Sequence, residues 1–276
     1  MLCACYLLFS IRNFLKNIKG NTIIILLQCD WREGDMMDWE PRNFKMETTT
    51  IWSFPQRGSW ATHRNSYRGN WSPYVPRNLI LRYTKPGDWI LDQFMGSGTT
   101  LVEAKLLNRN AVGIDINPQT LCLANESISF NTSNKSKIYI FHGDARNLSF
   151  IKNSSIDFVC THPPYENIIK YSSNIDGDIS LQKNEVFWES MRKVALESYR
   201  VLRSGKYCAI MMGDKRYKGN VVPLGFNAMQ IFLKAGFKSK EIIIKQQHNC
   251  TSTMKWQNRS NKFLLLAHEY IFVFYK

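Results

Sequence analysis

The sequence predicts an α/β fold with a mostly parallel sheet and an antiparallel C-terminal edge strand. Three observations carry that expectation. From Trp89 onward, short apolar runs alternate with longer runs of helical periodicity, the pattern of strands joined by crossover helices. The first apolar run leads into a Gly-rich turn, Asp-Gln-Phe-Met-Gly-Ser-Gly-Thr-Thr at residues 92–100. Near the C-terminus two strand-like runs follow one another with no helix between them, which calls for antiparallel pairing.

The elements follow in order. Pro76 opens a helical run to Tyr83, with proline in the first turn, and Lys-Pro-Gly-Asp at 85–88 breaks it. Strands are expected at 89–94, 111–116, 137–141, 156–161 and 207–212, with helices at 99–108, 118–129 and 187–202. Helices between parallel strands cover both faces of the sheet. A further helix at 222–235 ends at Gly236, and strands at 241–245 and 270–275 flank a polar loop, 248–262. Residues 52–74 are rich in Trp, Arg, Gly, Ser and Asn and read as irregular.

The first 50 residues read as an extension preceding a domain at 51–276. Residues 1–10 are apolar and 11–20 basic, the reverse of a signal peptide, and Met36, Met37 and Met46 are alternative starts. Neither apolar run there reaches the roughly 20 residues that span a bilayer. Seven cysteines without a C-x-x-C pair read as reduced thiols in the cytoplasm, with no zinc site expected. The net charge of +14 is uneven: residues 1–189 hold 20 Lys and Arg against 18 Asp and Glu, residues 190–276 hold 16 against 4. A basic surplus confined to the last third favours a polyanionic partner over a general solubility role.

Four motifs carry chemistry. Gly96 and Gly98 permit a sharp turn and a close approach of backbone to ligand, and Thr99 and Thr100 head the next helix. The turn lacks the third glycine of the dinucleotide fingerprint and the Gly-Lys-Ser/Thr of a P-loop. Asp115 ends the second strand, 17 residues after Gly98, where an acid can accept both hydroxyls of a ribose. Asp144 ends the third and can accept from an adenine amino group. Asp92 either touches the ligand or orients the turn. His-Pro-Pro-Tyr at 162–165 ends the fourth strand: the prolines stiffen the loop, the carbonyl of Pro163 can accept from an amino group, and Tyr165 offers a face for a flipped base. Each residue alone also fits a structural turn. Together they indicate a nucleoside ligand beside a stacking loop.

This constellation resembles the S-adenosylmethionine-dependent DNA amino-methyltransferases of the N4-cytosine/N6-adenine group, over about residues 52–276. The resemblance implies a Rossmann-like class I methyltransferase fold. It implies donor contacts at Asp92, Phe94, Gly96, Gly98, Thr99, Asp115 and Asp144, and a catalytic motif at His162, Pro163, Pro164 and Tyr165. It likens the helix from Pro76 to one covering the methionine part of the donor. The implied partners are double-stranded DNA and a restriction or specificity subunit, with no membrane. The motif departs from the family at His162, where Asp, Asn or Ser is usual; the preceding Thr161 resembles the Thr-Ser-Pro-Pro-Tyr form and favours cytosine N4 over adenine N6. A neutral imidazole has one acceptor nitrogen and can replace those oxygens. Recognition falls to three short segments, 52–74, 166–185 and 248–262, with Lys255, Arg259 and Lys262 expected on phosphates. Two rivals stay open: an RNA guanine-N2 methyltransferase, and a non-catalytic DNA-binding subunit with a degenerate donor site. A nicotinamide-dependent dehydrogenase explains neither the Pro-Pro-Tyr loop nor the basic last third.

Overall fold

Strands buried on both faces need near-continuous apolar runs, and the centre of this molecule is built from such runs. The computed structural model describes residues 39–63, 67–250 and 263–276. In chain order the elements are β1 (Ile51–Ser53), α1 (Tyr74–Tyr83), β2 (Trp89–Asp92), α2 (Thr99–Leu106), β3 (Asn110–Asp115), α3 (Pro118–Ile128), β4 (Ile138–His142) and β5 (Ile156–Thr161). A short 3-10 turn at Ile179–Leu181 precedes α4 (Asn184–Val201), β6 (Leu202–Met212), β7 (Lys215–Tyr217), β8 (Asn220–Val222), α5 (Leu224–Lys234), β9 (Lys238–Gln246) and β10 (His268–Tyr275).

The main sheet has the order β1-β9-β10-β6-β5-β2-β3-β4. Because successive side chains on a strand face opposite ways, neighbouring residues feed different cores. Leu91, Val112, Val159 and Ile210 pack with Phe187 and Met191 of α4 and Phe232 of α5. Ile90, Ala111, Phe158 and Ala209 pack with Leu79 of α1, Leu101 of α2 and Leu121 of α3. The sheet is thus sandwiched between two helical layers.

Order and direction decide where a site can form. The chain runs outward from β2 through β3 to β4, then returns to place β5 on the other side of β2. That reversal makes the carboxyl ends of β2 and β5 a topological switch point, where a crevice opens in such sheets. The strand β10 runs antiparallel to both β6 and β9. Its first residues therefore arrive at the same edge as the last residues of the parallel strands.

The antiparallel C-terminal strand is present, but it lies inside the sheet. The edge position belongs to β1, whose Ile51, Trp52 and Ser53 pair in parallel with Ile244, Lys245 and Gln246. Three residues are too few for alternation to reveal, although Trp52 is one of the most deeply buried side chains. The hairpin of β7 and β8 also gives no signal in the periodicity; its two-residue turn places Lys218 and Gly219 at φ 47° and 83°. Residues 39–50 lie against α1, where the Glu47 amide donates to Asn78 Oδ1 (2.7 Å) and Glu40 pairs with Arg77. Among the described residues no helix is long and apolar enough to cross a membrane.

Candidate active site

The Gly turn leaves β2 at Asp92, whose carboxylate is engaged by three groups of the protein itself. Oδ2 accepts from Thr100 Oγ1 (2.5 Å), and Oδ1 accepts from Thr161 Oγ1 (2.8 Å) and the Phe94 amide (3.1 Å). Asp92 thereby ties the turn to the head of α2 and to the end of β5. Burial pushes its carboxyl up to about 6, against the pull of these three hydrogen bonds. Asp115 is held from the other side: the Gly96 amide donates to Oδ2 (3.0 Å) and the Asn117 amide to Oδ1 (2.9 Å). Burial raises it, too, to about 6. Gly96 and Gly98 have φ of 51° and 87°, and a Cβ on Gly98 would stand 3.3 Å from Cα of Ala124 in α3. The turn is tight because α3 lies directly behind it.

Beyond this turn is a cleft. Asp92, Phe94, Gly96, Asp115 and Asp144 line it, whereas Gly98 and Thr99 shape the turn from behind. Thr99 Oγ1 donates to Asn70 Oδ1 (3.1 Å), and Asn70 Nδ2 donates to Ser97 Oγ (2.7 Å). Asp144 is engaged on both oxygens by Arg146, at 2.6 to 3.0 Å. No residue of α1 lines the cleft, because its apolar side, Val75, Leu79 and Ile80, is buried in the core. The segment just before it supplies Tyr67, Asn70 and Trp71 instead, and Tyr67 stacks on Tyr171 with ring centroids 6.0 Å apart. Among the described residues, four aspartates and no Lys or Arg line the cleft. That charge suits a cationic sulfonium ligand with a ribose and opposes a dinucleotide carrying phosphates.

His162 and Pro164 line this cleft and also a larger groove beside it, to which Pro163 and Tyr165 contribute. The His162 ring lies parallel to Trp71, 5.4 Å away and 16° from coplanar. Its Nε2 is 2.7 Å from the hydroxyl of Tyr165, which donates to Glu269 Oε1 (2.8 Å). Lys245 Nζ donates to Glu269 Oε2 (2.9 Å). Lys245 and Glu269 are direct cross-strand partners on β9 and β10, so their side chains share a face. Burial lowers the pKa of His162 to about 4, only partly offset by Glu269. The Tyr165 phenol is pushed well above its ordinary value by burial and the Glu269 carboxylate.

Sequence reasoning did not find Glu269 or Lys245. One signal was available: Glu269 is an acid immediately before the apolar run Tyr-Ile-Phe-Val-Phe, and one of four acids after residue 189. The groove carries Arg57, Arg68, Lys215, Arg216, Lys218 and Lys245 against Asp214 and Glu269, so it is basic where the cleft is acidic. Lys255, Arg259 and Lys262 lie outside the described residues.

A family model described as DNA methylase matches residues 17–126 and 156–276. The chain belongs to that family, the amino-methylating group of N6-adenine and N4-cytosine enzymes. It is 28% identical over 189 residues to the type II methyltransferase M.MjaII of Methanocaldococcus jannaschii, a match covering 65% of this chain and 34% of that protein. It is 35% identical over 102 residues to the type II methyltransferase M.BglI of Bacillus subtilis, covering 36% of this chain and 28% of the relative. The chain thus spans about a third of the length of these curated relatives. In fold it is similar to a SAM-dependent methyltransferase from Methanosarcina mazei, with a TM-score of 0.50 at 16% identity over 72% of this chain and 96% of that one.

Proposed function

We propose that this DNA methylase moves a methyl group from S-adenosylmethionine to the exocyclic amino group of a base flipped out of double-stranded DNA, cytosine N4 in preference to adenine N6. The observation that carries the reading is the position of His162, where the acidic cleft opens into the basic groove. When bound, S-adenosylmethionine would supply a sulfonium methyl group; the N–C bond would form as the C–S bond breaks, with the electron pair left on sulfur and the amino proton released to solvent. Asp115 would accept the ribose hydroxyls, and Gly96 lets the backbone approach without a Cβ. Asp92, Gly98 and Thr99 hold the turn, and Phe94 gives the cleft an apolar wall. Asp144 would accept from the adenine amino group on a lone pair left over by Arg146.

On the target side, His162 and the Pro163 carbonyl accept the amino hydrogens and turn the nitrogen lone pair toward the cleft. Tyr165 and Pro164 wall the flipped base. Positioning is the main source of rate, and well-oriented reactants can contribute roughly 7–11 kcal/mol. The preference for cytosine rests on Thr161 before the motif, whose hydroxyl also locks Asp92. The catalytic domain is residues 51–276, and the basic groove with Lys255, Arg259 and Lys262 carries the phosphates. A restriction or specificity subunit is the partner expected beside relatives named type II methyltransferases, and the cytoplasm is the site of action.

Incubation of the full chain with methyl-labelled donor and either duplex DNA or transfer RNA tests the reading. Label is expected in DNA, and loss of that label in His162→Ala and Tyr165→Ala. Label in RNA guanine, or donor binding with no transfer to any nucleic acid, overturns it.

A further inference from the structure

An imidazole can replace the Asp, Asn or Ser oxygen of this motif only if the correct nitrogen holds the lone pair. An oxygen accepts in any state; a neutral imidazole accepts on one nitrogen and donates on the other. Something must therefore select the tautomer, and the proton positions behind His162 can be counted. Lys245 has only hydrogens to offer Glu269 Oε2 (2.9 Å). The Tyr165 hydroxyl gives its single hydrogen to Glu269 Oε1 (2.8 Å). Its oxygen, 2.7 Å from His162 Nε2, can then only accept, so Nε2 bears the hydrogen and Nδ1 the lone pair.

We propose that Glu269, held by Lys245, is a positioning residue: through Tyr165 it fixes His162 as the Nε2–H tautomer, so that Nδ1 accepts a hydrogen from the exocyclic amino group of the target base. This rests on the methyl transfer proposed above. The stack on Trp71 fixes the plane of the ring in which that lone pair lies. Two charge states that the count requires are also favoured. Burial pushes Glu269 up, yet the charge and hydrogen bond of Lys245 and the hydrogen bond of Tyr165 hold it below the usual carboxylate range, so it is ionised. Burial keeps His162 neutral. The chain of hydrogen bonds depends on strand direction: β9 and β10 run in opposite senses, which brings Lys245 and Glu269 opposite one another beside Gly213, whose Cβ would strike the Tyr165 ring at 2.9 Å.

Glu269→Gln tests it, because the amide reverses the chain of hydrogen bonds. Lys245 claims the amide oxygen, the amide nitrogen donates to Tyr165, Tyr165 donates to Nε2, and the imidazole hydrogen moves to Nδ1. Long-range proton–nitrogen spectra of the full chain labelled at histidine, with the His162 signal assigned by its loss in His162→Asn, should show Nε2–H in the native protein and Nδ1–H in Glu269→Gln. The turnover rate should fall about 100-fold with donor and DNA affinities unchanged. Tyr165→Phe keeps the Lys245–Glu269 pair and should show both tautomers. A native protein with hydrogen on Nδ1 overturns the proposal, as does Glu269→Gln with Nε2–H and full turnover, or Tyr165→Phe with Nε2–H alone. If the native protein shows Nε2–H but methylates no DNA, the methylation reading fails and the tautomer assignment stands.

Discussion

The donor half and the target half of this site are built by opposite means. The donor half is local: Asp92, Phe94, Gly96 and Thr100 come from nine consecutive residues, Asp115 ends the next strand, and Asp144 stands two residues past the end of the one after, β4. The backbone does much of its work, with the Gly96 and Asn117 amides aiming Asp115. The target half is assembled across the fold, since Tyr165 meets Glu269 over a separation of 104 residues and Trp71 stacks on His162 from before α1. Charge divides them as well, with four aspartates in the cleft and a basic groove beside it. A half made of contiguous turns carries its own signature in sequence; a half made of strand register does not.

Asp92 joins the halves, so removing it should have the largest effect. Asp92→Ala leaves Thr100, Thr161 and the Phe94 amide without their buried acceptor and is expected to lower stability by about 3 kcal/mol. Urea denaturation would measure this, and donor affinity and methylation should fall together. Next comes the target half alone. His162→Ala should reduce turnover about 100-fold while the donor dissociation constant, from titration calorimetry, stays within about twofold. An equal loss of donor affinity would dissolve the division between the halves.

The donor half alone is addressed by Asp115→Asn, expected to weaken donor binding about tenfold without altering DNA affinity. The raised pKa of Asp115 adds a pH signature. Its folded value of about 6 exceeds the unfolded aspartate value of about 3.9, so the folded protein takes up this proton first. Acidification through that window therefore adds stability from this group while it discharges the carboxylate proposed to hold the ribose. Donor affinity should decline as pH falls through about 6, and Asp115→Asn should flatten that decline. His162 titrates near 4 and contributes no step at the usual histidine value. The smallest effect is expected on the groove. Arg68→Ala with Lys218→Ala should cut the salt dependence of DNA binding, the logarithmic slope falling by about 0.9 for each phosphate that is no longer neutralised.

The same division explains what was legible. Apolar runs and the Gly turn indicate the sheet, its helices and the donor acids, because strand–turn–helix units are written in neighbouring residues. The position of β10 inside the sheet was not legible, since the three-residue β1 that takes the edge is too short for its alternation to stand out. The likeness of Pro76 onward to a cover helix also shifts by a few residues: the apolar side of α1 is buried, and Tyr67, Asn70 and Trp71 face the cleft. Glu269 was hidden because its meaning depends on the Lys245 register and on Tyr165, neither of which is near it in sequence.

The atom of DNA that receives the methyl group decides most directly whether the two halves work together as described. Nucleoside mass spectrometry of duplex DNA treated with the full chain and S-adenosylmethionine should find N4-methylcytosine, formed about 100-fold more slowly in the His162→Ala reaction. Methylated DNA in which neither cytosine N4 nor adenine N6 carries the group, or equal methylation by His162→Ala, would contradict it.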